Sequence, residues 1–291
     1  MKIGVHGKEF PRQSASFIHR IFEVLRHHGA DLYVSSKFSG FLKQSIFKEF
    51  RWHTYDPGDT LASLDLLISI GGDGTLLESV THIGSTEIPV LGINTGRLGF
   101  LATISRDETE AALEQVMTKS FRLDRRSLLQ LDSDPQIFGN LNFALNDCTV
   151  VKKDSSAMIT IHTFVDGEFL NSYWADGVIV STPTGSTGYS LSCGGPLISP
   201  RSGNFVLTPV SPHNLTVRPI IVADTSEISF QVEGRSRKFL VTLDSRVATV
   251  DNRVRLTVRK AGFHVNLVQL EGQHYFKTLR QKLMWGLDIR N

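Results

Sequence analysis

The chain has 291 residues, and its 31 basic and 29 acidic side chains leave a formal charge of only +2, which gives no support for a nucleic-acid partner. Apolar runs of a few residues predict no membrane-spanning helix, and two cysteines, Cys148 and Cys193, are too few for a disulfide framework or a zinc cluster. The N-terminal segment MKIGVHGKEF lacks the apolar core of a signal peptide, so we expect a cytoplasmic enzyme.

Strands alternate with helices over about the first 118 residues. Short apolar segments predict strands at residues 2–5, 32–35, 64–70 and 88–93. Apolar stripes at helical spacing predict helices at residues 14–28, 41–50, 74–84 and 107–117. This alternation predicts a parallel sheet with helices on both faces.

The pattern changes to short alternating strands between about residues 121 and 269. Three hairpins are predicted, joining residues 158–165 to 168–170, 228–232 to 238–243, and 247–250 to 254–258. Strands at this spacing are typical of a β-sandwich. The last segment, 275–285, has an apolar helical face that we expect to dock on the first domain. The predicted domains are therefore 1–120 together with 271–291, and 121–270.

The segment LLISIGGDGTLLE, at residues 66–78, combines a buried strand, a glycine turn and the start of a helix. Backbone N–H groups and the helix dipole make such a turn suitable for holding phosphate. Phosphate repels the carboxylate of Asp73, so an acid is unfavourable in a site that only binds anions. Its presence favours a role as a base that takes a proton from an attacking hydroxyl, or as a group that faces a metal. The alternative is a plain turn with Asp73 in solvent.

Two further polar stretches carry candidate site residues. Asn146-Asp147 follows the apolar Phe143-Ala144, and by itself this pair is more typical of a simple turn. Residues 176–192, DGVIVSTPTGSTGYSLS, run from a buried strand into a loop of small donors, followed by Cys193-Gly194-Gly195-Pro196. Such a loop suits close backbone approach to a polar ligand, and the alternative is a Gly/Ser-rich surface loop. The Walker sequence G-x-x-x-x-G-K-[ST] and the dinucleotide fingerprint G-x-G-x-x-G are both absent.

Taken together, these stretches resemble the NAD kinase family, the ATP-dependent enzymes that make NADP from NAD. GGDGT at 71–75 is shared with diacylglycerol kinases, sphingosine kinases and phosphofructokinases, whereas the block at 176–196 is specific to this family. The other matching pieces are Asn94 to Leu101, similar to N-x-G-x-L-G-F-L, Asn146-Asp147, Thr208-Pro209 with Pro212-His213, and residues 276–286.

The resemblance implies a Rossmann-like doubly wound N-terminal domain that holds nucleotide phosphate and a β-sandwich-like C-terminal domain that binds NAD. It implies that Asp73 is the general base that takes the proton from the 2′-hydroxyl of the adenosine ribose. The implied contacts of the ATP phosphates are Gly71, Gly72, Gly74 and Thr75. The implied NAD contacts are Asp73, Gly74, Asn146, Asp147, Trp174, Asp176, Thr187, Gly188, Tyr189, Ser190, Leu191, Ser192, Asp244 and Arg246.

Three positions depart from the commonest family pattern. Asp147 stands where Glu is usual, Gly188 where Ala is usual, and Trp174 where many bacterial members have a basic residue. The first two changes are mild, whereas Trp174 leaves the choice between NAD and NADH open.

The resemblance also implies a divalent metal and an oligomer. No cluster of carboxylates is visible in the sequence, so we expect Mg²⁺ to arrive with ATP and to be held by phosphates and water. We expect a homodimer or homotetramer. The rival functions are a lipid or sugar kinase that shares GGDGT and a non-catalytic NAD-binding regulator. The sequence leaves open whether ATP or polyphosphate is the donor and whether NADP inhibits the enzyme.

Overall fold

A computed structural model describes residues 1–43, 46–57, 59, 61, 63–96, 99–153 and 158–285. The chain divides into two compact units, one formed by Met1–Arg125 with Val265–Asn291 and the other by Arg126–His264. The assignment of residues 1–120 with 271–291 to nucleotide phosphate and of 121–270 to NAD stays a prediction.

The first unit is built on parallel strands with helices between them. In chain order its elements are β1 (Lys2–Gly7), α1 (Ala15–His27), β2 (Asp31–Ser35), α2 (Ser36–Leu42), β3 (His53–Tyr55), β4 (Leu66–Ile70), α3 (Asp73–Ile83), β5 (Val90–Ile93) and α4 (Thr109–Met117). The strands pair in the order β3-β2-β1-β4-β5, all parallel. Because crossover connections are right-handed, chain segments that lead away from β1 in opposite directions place their helices on opposite faces of the sheet.

The core of the first unit explains why these strands form. All five residues of β4 are buried, as expected for a strand of a parallel sheet covered on both faces. Ile3, Val5 and Ile68 pack in one cluster with Phe22 and Leu25 of α1. Each such side chain contributes about 1.5–3 kcal/mol through burial.

The predicted helix at residues 41–50 is wrong for the described part of this range, and residues 44–45 lie outside the described residues. The helix in this region is α2, which starts directly after β2 and ends at Leu42. Phe38 and Leu42, one helical turn apart, supply its buried stripe, whereas Phe47 and Phe50 are buried from a turn. The short strand β3 was not predicted, because two of its three residues are exposed and it shows no apolar pattern.

The second unit contains antiparallel sheets. Its elements in chain order are β6 (Arg122–Ser133), β7 (Phe143–Ala144), β8 (Asp147–Lys152), β9 (Ile159–Val165), β10 (Glu168–Ala175), β11 (Gly177–Ser181), α5 (Tyr189–Ser192), β12 (Asn204–Val210), β13 (Ile220–Ala223), β14 (Ile228–Glu233), β15 (Lys238–Leu243), β16 (Arg246–Asp251) and β17 (Leu256–Gln269). One sheet has the order β13-β12-β11-β8-β15-β16. In the other, β14 pairs with β9 and β17, and β9 pairs with β10. One apolar core includes residues of both sheets, among them Phe205, Phe230 and Phe239.

One predicted hairpin is confirmed and two are wrong. β9 and β10 are joined through Asp166 and Gly167, both with positive φ, as a two-residue hairpin turn requires. β14 and β15 instead lie in different sheets, as do β16 and β17, and the hairpin in this region joins β15 to β16. Alternation of apolar residues identifies a strand but not its partner, and here the connections carry the chain between sheets.

The chain finally returns to the first unit. The end of β17 belongs to that unit, where Leu267 pairs with Val90 of β5, and α6 (Tyr275–Leu283) follows. The predicted fold class is therefore confirmed as an α/β domain plus an all-β domain, with the last helix in the first. Among the described residues, no helix combines the length and apolar character that crossing a bilayer requires.

Candidate active site

The first unit has a topological switch point between β1 and β4. From β1 the chain leads through α1 to β2 on one side, whereas β4 lies on the other side and leads through α3 to β5. In open α/β sheets, ligands bind outside the carboxyl ends of the strands at such a point. Gly71 and Gly72 connect the end of β4 to the start of α3 at this edge.

Two N–H groups at the start of α3 make no bond within the helix, and the described residues leave open space beside two glycines there. The N–H groups of Thr75 and Leu76 donate to the carbonyl of Gly72, and those of Asp73 and Gly74 have no partner within the helix. A Cβ atom added at Gly72 or Gly74 would meet no heavy atom within 4 Å, whereas one at Gly71 would lie 2.3 Å from Thr75 Oγ1. An anion could therefore approach Gly72 and Gly74, and Gly71 is required by the close approach of Thr75.

Three backbone N–H groups hold the carboxylate of Asp73, the first residue of α3. Phe100 donates to Oδ2 at 2.8 Å, while Leu101 and Ala102 donate to Oδ1 at 3.0 and 2.9 Å. A carboxylate has about four acceptor positions, so Oδ2 keeps a second lone pair after these bonds. The carboxylate is thus fixed at a helix N-terminus with one acceptor position for a further donor.

The loop after β5 is shaped around this carboxylate. Asn94 Nδ2 donates to the carbonyl of Ala102 at 3.3 Å, and Asn94 Oδ1 accepts from the N–H of Gly96 at 2.6 Å. A Cβ atom at Gly99 would lie 1.8 Å from Asp73 Oδ1, so glycine is required there. Residues 97–98 of the predicted family motif lie outside the described residues.

In the second unit, Asp244 anchors the Asn146-Asp147 turn. It lies in the β15–β16 hairpin with φ of 53°. Its Oδ2 accepts from Leu145 N–H at 3.0 Å, and its Oδ1 accepts from Asn146 and Asp147 N–H at 2.8 and 3.3 Å. Burial raises the pKa of Asp244, and the bonds from Leu145 and Asn146 oppose that rise. This predicted NAD contact therefore acts on the backbone that positions Asn146 and Asp147.

Asn146 has a buried amide oxygen without a partner. Within the described part of the chain, no hydrogen-bond donor reaches its Oδ1. Its backbone carbonyl accepts from Thr182 N–H at 2.9 Å, and a Cβ atom at Gly188 would lie 3.7 Å from its Nδ2. An unpaired buried oxygen costs about 1–3 kcal/mol, so this atom points to a ligand that donates a hydrogen bond.

Asp147 is almost fully buried beside this turn. Its Oδ1 accepts a hydrogen bond from Thr149 Oγ1 at 3.2 Å. Burial, followed by the negative charge of Asp244, raises the pKa of Asp147 to about 7. Near neutral pH its carboxyl group can therefore both donate and accept, which suits a ligand hydroxyl.

The unmodified chain should lose stability relative to Asp147→Asn as pH rises. The native pKa of about 7 lies above the unfolded value of about 3.9, so the native state binds the proton more tightly. The unfolding free energy of the unmodified chain should therefore fall between pH 4 and 7, by on the order of 2–4 kcal/mol from this group. Urea denaturation of both proteins at pH 4.5 and 8 measures the difference. An equal difference in unfolding free energy between the two proteins at both pH values would contradict the raised pKa of Asp147.

Hydroxyl groups fasten the loop that follows β11. Thr182 Oγ1 donates to the carbonyl of Leu145 at 2.5 Å and accepts from Gly185 N–H at 3.1 Å. Ser190 Oγ lies 2.8 Å from Thr208 Oγ1, and both residues are buried. The hydroxyl of Ser190, predicted to contact NAD, is thus used inside the protein. A Cβ atom at Gly185 would lie 2.1 Å from the carbonyl oxygen of Asn146, so this loop is seated directly on the Asn146-Asp147 turn.

Tyr189 and Asp176 lie near the Asn146-Asp147 turn. Burial, followed by the nearby Cys193, Asp176 and Asp147, raises the pKa of Tyr189, whose side chain is nevertheless 46% exposed. Asp176 Oδ1 lies 2.6 Å from Lys152 Nζ. The structure therefore brings together five predicted NAD contacts, namely Asn146, Asp147, Asp176, Gly188 and Tyr189.

The remaining predicted contacts of this unit have other surroundings. Trp174, half exposed on β10, packs on His213 with ring centroids 4.3 Å apart. Arg246 donates to the backbone carbonyls of Leu141 and Phe143, so it holds the segment before β8. Thr187, Leu191 and Ser192 lie partly or fully exposed on the fastened loop.

Three contributors to the candidate residues of the two units, each taken by itself, were not predicted. The amides of residues 100–102 hold Asp73, Thr182 joins the loop to Leu145, and Lys152 pairs with Asp176. Backbone amides carry no signal in a sequence. Lys152 could have been suspected as a cation at the end of a buried strand, because a partly buried lysine needs an acidic partner.

Comparisons with known proteins agree along the whole chain. Residues 3–121 match the family described as ATP-NAD kinase N-terminal domain, and residues 145–270 match the ATP-NAD kinase C-terminal domain. The chain is 50% identical to the NAD kinase of Cytophaga hutchinsonii and 44% identical to that of Flavobacterium psychrophilum, with both chains fully covered in each case.

Solved structures give the same result. Yeast NADH kinase complexed with NADH has a TM-score of 0.86 at 25% identity, covering 100% of this chain and 89% of that one. An NAD kinase from Archaeoglobus fulgidus in complex with ATP has a TM-score of 0.75 at 26% identity, with 98% and 99% covered. The resemblance noted in the sequence is thus confirmed over both units, and the chain belongs to the NAD kinase family.

Proposed function

We propose that the chain phosphorylates the 2′-hydroxyl of the adenosine ribose of NAD with ATP, giving NADP and ADP. Both ATP-NAD kinase domains match, and full-length relatives with 50% and 44% identity are NAD kinases. The solved relatives bind NADH and ATP, which are the two kinds of substrate that this reaction joins. The enzyme is a phosphotransferase with an alcohol group as acceptor.

The observation that carries the catalytic assignment is the fixed carboxylate of Asp73. Three amides orient it, and the second lone pair of Oδ2 is available to a hydroxyl. In the proposed step, that lone pair takes the proton of the ribose 2′-hydroxyl while the 2′-oxygen attacks the γ-phosphorus and ADP leaves. Gly72 and Gly74 leave room for the ATP phosphates, and the N-terminus of α3 offsets their charge. Gly71 and Thr75 shape this turn.

The residues around the Asn146-Asp147 turn are proposed to bind the dinucleotide. Asn146 Oδ1 would accept from a ligand hydroxyl or amine, which would satisfy its unpaired buried oxygen. Asp147 and Asp176 would bind ribose hydroxyls, and Tyr189 would pack against a ring. The exposed part of the loop and Trp174 would complete the contacts, with Asp244 and Arg246 positioning the backbone.

A divalent metal, Mg²⁺, is proposed to arrive with ATP. In the described residues, the carboxylate beside the glycine turn is that of Asp73, and three backbone amides take all but one of its acceptor positions. The donors of this turn therefore fit a metal held mainly by phosphate oxygens and water. Bound there, Mg²⁺ would neutralise charge on the transferring phosphoryl group.

A homodimer or homotetramer in the cytoplasm is proposed from the family resemblance. The two edge strands of the six-stranded sheet expose large apolar side chains, Ile221 on β13 and Val247 on β16. Unpaired edges with exposed apolar residues are suited to pairing with another chain. Light scattering coupled to gel filtration would measure the mass in solution.

Incubation of the chain with ATP, Mg²⁺ and NAD should yield NADP. Parallel reactions with NADH as acceptor and with polyphosphate as donor define the substrates. NAD binding without NADP formation would favour a non-catalytic regulator, and absence of NAD binding would favour another kinase that shares GGDGT. Either result would overturn the proposal.

A further inference from the structure

Three side chains that the kinase reaction does not use converge in the first unit. His6 lies near the end of β1, and Glu78 and His82 lie four residues apart on one face of α3. One potential ligand atom from each lies within 4.8 Å of the others. Both histidines are more than nine-tenths buried, with 1% and 8% exposure.

The two imidazoles have nitrogen atoms without partners. Within the described residues, His6 Nε2 and His82 Nδ1 are buried and make no hydrogen bond. His6 Nε2 lies 3.8 Å from Glu78 Oε1, which is beyond hydrogen-bond distance. Leaving two buried ring nitrogens unpaired is costly, so the cluster points to a ligand that binds nitrogen lone pairs.

A neighbouring hydroxyl can orient His6 for such a role. Its Nδ1 lies 2.9 Å from Ser35 Oγ, and with Nδ1–H donating to Ser35, Nε2 keeps its lone pair toward Glu78. A hydrogen bond from the second ring nitrogen is the usual way in which proteins orient a metal-binding histidine.

The charges around the cluster are mixed. Glu78 Oε2 lies 2.9 Å from Lys8 Nζ, and Lys37 is a further nearby cation, whereas the carboxylate of Asp56 acts on His82. The side chain of Lys8 is about half exposed, so its ammonium group can swing into solvent. Lys8 is thus the cation that competes with a bound ion for the charge of Glu78.

We propose that His6, Glu78 and His82 bind a divalent transition-metal ion, with Zn²⁺ the best match. Two imidazoles and one carboxylate that leave a fourth position open are a known Zn²⁺ ligand set. In a tetrahedral site the ligand atoms lie about 3.4 Å apart. The ligand atoms of this cluster lie within 4.8 Å of one another, so they must approach by up to about 1.4 Å. Glu78, which is partly exposed, can supply that movement. Mg²⁺ prefers oxygen ligands and is a poor match.

The bound ion would join β1 to α3, the helix that begins with Asp73. The ion would therefore stabilise the switch point of the sheet without entering the phosphoryl transfer. This inference does not depend on the kinase reaction, and its test needs no turnover.

Titration of the metal-free full-length chain with Zn²⁺, followed by calorimetry and by thermal unfolding, tests the site. We expect one ion per chain and a raised Tm, because an ion that binds only the native state stabilises it. Glu78→Gln and His82→Gln should each weaken Zn²⁺ binding at least tenfold. Lys8→Met should strengthen it, because this change frees Glu78 and removes a nearby positive charge.

His19→Gln is the matched control, since His19 also contacts two carboxylates, those of Glu23 and Glu49, but on opposite ring nitrogens. It should bind Zn²⁺ like the unmodified chain. Circular dichroism verifies that each variant folds, and Glu78→Gln, at a partly exposed position, keeps the test valid if His82→Gln does not fold. Absence of stoichiometric binding, unchanged binding by Glu78→Gln, or displacement of Zn²⁺ by millimolar Mg²⁺ would overturn the proposal.

Discussion

Asp73→Asn should lower kcat by about 10²–10⁴-fold while NAD binding stays measurable, because the variant loses the group that we propose accepts the 2′-hydroxyl proton. The amide has the shape of the carboxylate, but its nitrogen cannot accept from an N–H group. Either the bond from Phe100 or those from Leu101 and Ala102 must therefore be lost as well. Initial rates of NADP formation and direct NAD titration measure the two effects separately.

Gly99→Ala tests how strongly the rate depends on the position of the Asp73 carboxylate, and Glu110→Gln is its control. Gly99→Ala keeps the carboxylate of Asp73 but adds a Cβ atom only 1.8 Å from its Oδ1. The carboxylate or the loop must therefore move. A misplacement of about 1 Å can cost about 10²-fold in rate. Glu110→Gln, on the surface of α4, removes an acid that pairs with Arg20 and should leave kcat unchanged. A near-normal rate for Asp73→Asn would show that Asp73 is not the base.

Asp244→Ala should lower the free energy of unfolding by about 2–4 kcal/mol and raise the KM for NAD. The carboxylate accepts from the N–H groups of Leu145, Asn146 and Asp147, and alanine leaves all three without this partner. Alanine is also strained at the positive φ of this position. Urea denaturation followed by circular dichroism measures the stability, and steady-state kinetics measure the KM.

Asp244→Asn separates the charge of Asp244 from its geometry. Asparagine tolerates the positive φ and can keep the two bonds that Oδ1 accepts, so the loss of stability should be smaller than for alanine. Removal of the negative charge should also lower the pKa of Asp147 from about 7. Asp251→Asn, at the exposed end of β16, is the control and should change neither stability nor KM. Equal effects of Asp244→Ala and Asp251→Asn would contradict the anchoring role.

The sequence by itself determined many of the local elements and the family. Apolar runs and helical stripes predicted β1, β4, α1 and α3, because a strand buried on both faces leaves a continuous apolar run and a helix buried on one face leaves an apolar stripe. Asp166-Gly167 predicted its hairpin, since the turn needs positive φ at both residues. GGDGT and the block at 176–196 carried the resemblance to the NAD kinase family, which the matched domains confirm. Their glycines and small donors suit a phosphate turn and a ligand loop.

Only the tertiary structure decided which distant groups meet. The amides that hold Asp73 lie 27 to 29 residues away, and those that Asp244 holds lie 97 to 99 residues away. The partners of β14 and β15, and the cluster of His6 with Glu78 and His82, likewise depend on strand pairing and core packing. Periodicity records how each segment is buried, but a backbone N–H or a sheet partner has no signature in the side-chain pattern. Packing of the whole chain selects these contacts.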